Sequence, residues 1–129
     1  MADDSRIDDL RRRLQHDPAS IAFAPLAEEW RRAGRYQESV DVCRAGLAVH
    51  PGYLSAKVTL GRALIELNQM DEAAQHLEAV RQSAPENIAA VRALADLHRR
   101  AEGLRAVRTL AALDQWLAAL HVARAHRRA

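Results

Sequence analysis

Apolar residues recur at steps of three and four along most of the chain, with proline, glycine or asparagine between the runs. Leu26 and Trp30 belong to one such stripe, and Val40, Cys43 and Leu47 form the next. This spacing places apolar side chains on one face of a helix, whereas a half-buried strand would alternate them. The sequence therefore predicts a series of short amphipathic helices.

The stripes repeat after 34 residues across positions 20–87, an offset that aligns Gly34 with Asn68 and Pro51 with Pro85. A fixed period of this size is the sequence signature of stacked helical hairpins. Glycine and asparagine are the residues that most readily adopt the left-handed conformation of a helix end. Positions 34 and 68 are therefore the predicted hairpin turns, and each proline ends a second helix.

The pattern predicts one domain over residues 1–129. Ser20 is the expected N-cap of the first complete hairpin. The third hairpin is expected to turn at Gly103, and a break near Asp114 is favoured over one long helix from residue 104. The predicted parts are an amino-terminal cap helix at 5–17, repeats at 20–53 and 54–87, a degenerate third repeat at 88–113 and a carboxyl-terminal helix at 114–128.

The repeated positions resemble the tetratricopeptide repeat, whose pattern runs from an aromatic through Leu-Gly, Tyr, Ala and Phe to Pro. The first unit matches as Phe23, Leu26, Ala27, Trp30, Ser39, Cys43 and Pro51. The second reads Lys57, Leu60, Gly61, Leu64, Ala73, Leu77 and Pro85, with a lysine at the aromatic position. The third retains Val91, Leu94, Ala95 and His98, matches weakly at Val107 and Ala111, and lacks the proline.

The resemblance implies an all-α, right-handed superhelical stack of about three hairpins with capping helices at both ends. It also implies a non-catalytic module that binds a protein or peptide in a concave groove lined by the first helix of each hairpin. The family's groove positions fall on Ala24, Glu28, Arg31, Arg32, Val58, Arg62, Glu66, Arg92, Asp96, Arg99 and Arg100.

Six of these groove residues are arginines, which pair well with carboxylates, so the expected ligand is an acidic peptide segment. Arg31, Arg62, Arg92 and Arg99 are expected to contribute the charge, and Val58 an apolar contact. An equally weighted interpretation treats the same residues as solvated helix faces with intrahelical ion pairs, from Glu28 to Arg31 and Arg32 and from Arg62 to Glu66.

The carboxyl-terminal third is the basic part of a chain whose net charge is only +2, since residues 88–129 hold eight arginines and three acids. One alternative function is therefore weak binding of an anionic polymer such as nucleic acid, which the scarcity of aromatic residues disfavours. The other is self-association in a two-fold dimer through Trp116, Leu117 and Leu120.

Catalytic and metal chemistry find little support in the sequence. The six histidines include no pair at the i, i+4 spacing of a helical metal site, and no Gly-rich phosphate loop or nucleophile elbow is present. The prediction is that the protein is not an enzyme and has no cofactor or metal. Cys43 is the single cysteine, and no run of about 18 apolar residues occurs, so we expect a cytoplasmic protein without a membrane span.

Overall fold

The computed structural model describes the backbone of residues 2–128 and the side chains of residues 4–127. Within that range the chain forms helices and no strand, which confirms the all-helical prediction. The helices are α1 (Ala2–His16), α2 (Phe23–Arg32), α3 (Tyr36–Val49), α4 (Leu54–Glu66), α5 (Met70–Ser83) and α6 (Ile88–Arg128). The chain divides into two compact units, Met1–Leu97 and His98–Ala129.

The first unit is a stack of helical hairpins. Helix α2 pairs with α3 and α4 with α5, while α3 contacts α4 and α1 contacts α2. Leu60 lies at the centre of the main apolar core with 1% of its surface exposed, and Leu64 and Leu77 are fully buried beside it. Neither helix of a hairpin buries its apolar stripe alone, so the core exists only when the hairpins are stacked.

The two complete hairpins turn at Gly34 and Asn68, as the sequence predicts. Both residues have positive φ angles, 77° and 61°. The same backbone hydrogen bond closes both helix ends. Arg35 N–H donates to Trp30 C=O at 2.9 Å, and the N–H of residue 69 donates to the C=O of residue 64, also at 2.9 Å. This is the Schellman arrangement, in which a left-handed residue lets the last carbonyls find donors.

Small residues hold the helices of each hairpin close together. The Ser39 hydroxyl donates a 2.8 Å hydrogen bond to the backbone carbonyl of Ala27. One repeat later, a Cβ on Gly61 would lie 2.6 Å from Leu77 Cγ. These contacts require a small side chain on the first helix, because any larger group would separate the two backbones.

The amino-terminal helix α1 covers the first hairpin through a second apolar cluster that contains Ile7, Leu10 and Leu26. Helix α2 begins at Phe23, so the prediction that Ser20 caps a helix starting there is wrong. Its hydroxyl instead accepts a 3.1 Å hydrogen bond from Ala22 N–H in the turn that precedes the helix. Local side-chain to backbone bonds of this kind compete with helix formation.

The aromatic ring of Phe23 is fixed by contacts from the end of the first hairpin. It stacks on His50, with ring centroids 5.9 Å apart, and meets the edge of Tyr53. The Nε2 atom of His50 lies 2.6 Å from the carbonyl oxygen of Ala19, which ties the end of α3 to the start of the repeat. This geometry gives His50 a structural role.

The second unit belongs to helix α6, which continues from Ile88 to Arg128. The predicted turn at Gly103 and the predicted break near Asp114 are therefore wrong. Gly103 does not take a left-handed φ, and no proline follows that would stop the helix. The side chains of residues 102–122 are all exposed. No described helix is long and apolar enough to cross a membrane.

Replacing Leu60 with alanine should lower the free energy of unfolding by about 2 to 5 kcal/mol, because it leaves a cavity at the centre of the stack. Urea unfolding followed by circular dichroism measures the change. Val49→Ala is the control, since Val49 is 52% exposed and its truncation should cost less than about 0.5 kcal/mol. Equal effects of the two substitutions would contradict the assigned core.

Gly46→Ala should destabilise the protein by about 1 to 3 kcal/mol, since the added Cβ would overlap the buried ring of Phe23. Gly52→Ala provides a matched control, because nothing lies within 4 Å of a Cβ at that position. Thermal denaturation of both variants tests the difference. A Gly46→Ala protein as stable as the parent would show that the ring and α3 are not in contact.

Candidate functional site

A concave cavity of about 350 Å³ opens in the first unit between residues of α2, of α4 and of the start of α6. Four of the predicted groove residues line it together: Ala24, Glu28, Val58 and Arg62. The remaining lining residues are Pro25, Tyr53, Ser55, Thr59, Asn87 and Ala89. All the helical residues among them lie on first helices, because the second helices α3 and α5 pack behind.

Glu28 is the most constrained polar group of this cavity. Arg31 donates to it from Nε at 3.0 Å and from a terminal nitrogen as well, which makes a two-point contact. The Thr59 hydroxyl donates to the same carboxylate from α4 at 3.1 Å, and Arg32 lies 3.4 Å away. The carboxylate therefore joins α2 to α4, and its position is determined by both helices.

These contacts keep Glu28 ionised. Burial alone would raise its pKa, but hydrogen bonds from Arg31 and Thr59, with the charges of Arg31 and Arg62, outweigh burial and lower the pKa. Hydrogen bonding to Glu28 correspondingly raises the pKa of Arg31 against the opposing effect of burial. The pair is thus an internal salt bridge at the wall of the cavity.

The groove arginines differ in what they contact. The Arg31 side chain is half-buried and engaged by Glu28, so the intrahelical pairing from Glu28 to Arg31 and Arg32 is present in the structure. Arg62 is exposed at the cavity. Of the arginines predicted to contact a ligand, Arg62 is the one that the cavity wall contains, while Arg31 supports that wall.

The other predicted groove residues lie outside the wall of this cavity. Glu66 ends α4, and Arg92 and Asp96 belong to the first turns of α6 within the first unit. Arg99 and Arg100 belong to the second unit. Glu66, Asp96, Arg99 and Arg100 each have an interaction partner of their own. Their participation in a ligand site remains a prediction.

Four polar residues of the cavity were absent from the sequence prediction: Tyr53, Ser55, Thr59 and Asn87. The Asn87 side chain accepts a 3.0 Å hydrogen bond from Ala90 N–H and so caps α6. That asparagine before an apolar run is a helix-start signal that the sequence offers. No sequence signal points to Thr59, because its role depends on a hydrogen bond to Glu28, which lies 31 residues earlier in the chain.

The histidines and the cysteine form no reactive cluster in the described part of the chain. No group of three or more His, Cys, Asp or Glu that could hold a metal occurs among residues 4–127. Burial, and to a lesser degree the charge of Glu28, raises the pKa of the Cys43 thiol to about 12. Its thiol is therefore protonated at neutral pH and behaves as a packing group.

Comparison with known proteins agrees with the helical-hairpin fold. A family model described as tetratricopeptide repeat matches residues 31–102. The first tetratricopeptide domain of Spaghetti (RPAP3) bound to the HSP90 peptide SRMEEVD superposes with a TM-score of 0.74 and 22% identity, covering 78% of this chain and 81% of that one. The first tetratricopeptide domain of human RPAP3 gives the same score and identity, covering 78% of this chain and 80% of that one.

The second tetratricopeptide domain of human RPAP3, in complex with the HSP70 peptide SGPTIEEVD, has 26% identity and a TM-score of 0.67. It covers 71% of this chain and 78% of that one. A search of curated proteins finds no match. The fold and the matching family model define the class as a stack of tetratricopeptide hairpins. The chain belongs to the tetratricopeptide repeat family.

Glu28→Gln should reduce stability at neutral pH but change it little in acid. A carboxylate with a lowered pKa contributes stability above its unfolded-state pKa, near 4.5, and loses it as pH falls through the lower folded value. The difference between parent and variant in urea unfolding should therefore be full at pH 7 and shrink below about pH 4. A difference independent of pH would contradict the assigned ion pair.

Proposed function

We propose that this protein is a non-catalytic interaction module that binds an acidic peptide segment in the cavity formed by the first helices. The observation that carries the proposal is the composition of that cavity. Arg62 lies beside the apolar side chains of Ala24 and Val58, in a concavity of about 350 Å³. Ligand sites commonly combine apolar walls with a few fixed polar groups in this way.

The internal ion pair determines the charge available to a ligand. The carboxylate of Glu28 is paired with Arg31 and lies near Arg32, so its negative charge is compensated within the protein. Arg62 then adds a positive charge at the cavity, and a guanidinium binds carboxylate through two parallel hydrogen bonds. An acidic side chain or a carboxyl terminus of the peptide is the matching group.

The apolar part of the cavity supports binding of a peptide rather than of a simple anion. Val58 and Ala24 come from neighbouring first helices and both line the cavity. A side chain of the ligand that covers them would exclude water from the Arg62 contact, which strengthens it. The hydroxyl groups of Tyr53 and Ser55 add hydrogen-bonding capacity for the peptide backbone.

Two structural neighbours support the class of ligand. The RPAP3 domains that resemble this chain were solved with peptides that both end in Glu-Glu-Val-Asp. At this level of sequence identity, the similarity supports the fold of this chain. The contact residues are therefore inferred from its own cavity. Arg92, which belongs to the first unit, remains a proposed secondary contact for the acidic segment, and the role of Arg99 remains a prediction from the sequence. The binding of anionic polymer through the basic third also remains a prediction.

Arg62→Glu should weaken binding of an acidic peptide by about tenfold or more, since it replaces a charge-assisted hydrogen bond with repulsion. Titration of a fluorescent SRMEEVD peptide with the purified chain measures the dissociation constant. Arg81→Glu is the matched control, because Arg81 is an exposed residue of the second helix α5 with its own partner at Glu78. The control should bind like the parent.

The ligand class is tested with a second peptide in which glutamine and asparagine replace the acids. It should bind at least about tenfold more weakly than SRMEEVD. Equal affinity for the two peptides would contradict recognition of acidic groups. Equal weakening by Arg62→Glu and Arg81→Glu would contradict the site. Dissociation constants above about 1 mM for SRMEEVD and for two other acidic peptides would contradict the function.

A further inference from the structure

The opening turns of α6 present two different faces. Ala90, Leu94 and Leu97 are buried in the core of the first unit. On another side, Ile88 and Val91 are 64% and 46% exposed, and Ala95 is exposed with them. These three residues follow steps of three and four, so they form one apolar stripe that faces solvent.

The earlier repeats show what covers this stripe in a complete hairpin. Ala95 occupies the position of Ala27 and Gly61 at the 34-residue period. Both earlier residues are buried against a second helix, as the Ser39 hydrogen bond to Ala27 and the packing of Leu77 on Gly61 demonstrate. The stripe on α6 therefore corresponds to the face that packs against an antiparallel second helix in the complete hairpins.

The second unit supplies a helix of the required kind. Leu110, Leu113, Leu117 and Leu120 lie at steps of three, four and three, and all four side chains are exposed. They belong to the same helix α6 as Ile88 and Val91. The leucine stripe is therefore a second exposed apolar helix face, and its spacing suits packing against another helix.

The two stripes are complementary when the helices run in opposite directions. Ile88, Val91 and Ala95 are separated by three and then four residues, and Leu120, Leu117 and Leu113 repeat those steps in reverse. An antiparallel pair therefore brings each residue of one stripe opposite one of the other. The small Ala95 then receives Leu113, as Gly61 receives Leu77 within the second repeat.

We propose that two copies of this chain exchange their carboxyl-terminal helical segments. The leucine stripe of each copy (residues 110–120) packs antiparallel on the Ile88, Val91 and Ala95 face of the other. The second copy thereby provides the second helix of the third hairpin. A two-fold axis produces this contact twice, because each chain offers both stripes.

The exposed apolar area is comparable with that of a standard interface. The stripe residues of one copy, with the neighbouring exposed side chains of Leu104 and Val107, present on the order of 800 Å², the area that each partner buries in a standard interface. Burial of this surface removes the large exposed apolar patch that a monomer would carry. Trp116, which the sequence links to self-association, is exposed beside the leucine stripe and lies at its edge.

Sedimentation of the intact chain over about 1 to 100 µM tests the exchange, and the expected species is a dimer. Val91→Glu and Leu117→Glu should each raise the dimer dissociation constant at least tenfold, because each buries an unpaired charge at the interface. Val122→Glu is the control, an exposed residue outside the stripe that should leave the dimer unchanged. A monomer throughout the range would overturn the proposal.

Disulfide trapping determines which surfaces meet. Chains that carry Ala95→Cys are mixed with chains that carry Leu113→Cys, and an oxidised pair should form between them and not within either preparation alone. The native Cys43 is buried, and its pKa of about 12 keeps it from competing. A disulfide between two Leu113→Cys chains would show that the leucine stripes pair with each other, which overturns the exchange.

Discussion

The close approach of two helices within each hairpin is the constraint on which the rest of the structure depends. Ala27 and Gly61 have little or no side chain, so Ser39 and Leu77 lie directly against the first helices. This contact fixes the second helices behind the first and aligns the stripes that form the core. Single repeats cannot bury these stripes. Stacking of the hairpins therefore produces both the stable core and the exposed face of the first helices.

The candidate site follows from that arrangement. Helices α2 and α4 contact each other directly and leave a concavity whose wall is completed by the start of α6. The hydrogen bonds that Glu28 accepts from Arg31 and Thr59 connect the two helices at this wall, so part of the groove chemistry stabilises the groove itself. In the proposed function, the positive charge that meets the ligand comes from Arg62. A short stack of hairpins can thus present a defined concave surface.

Much of this architecture could be predicted from the sequence because its causes are local. Gly34 and Asn68 adopt the left-handed turns that their chemistry permits, and the 34-residue period aligns the core positions. The continuity of α6 through Gly103 could not be predicted, because glycine is compatible with both a helix interior and a turn. Thr59 was missed as well, since its contact with Glu28 depends on how two repeats stack.

The proposed function requires that the first helices of the stack contact the ligand. Titration of the isotopically labelled protein with an unlabelled acidic peptide, followed by backbone amide chemical shifts, tests it most directly. We expect the largest changes on residues of the cavity wall: Ala24, Val58, Thr59 and Arg62. Changes concentrated on α3 and α5, with none in the cavity, would contradict it.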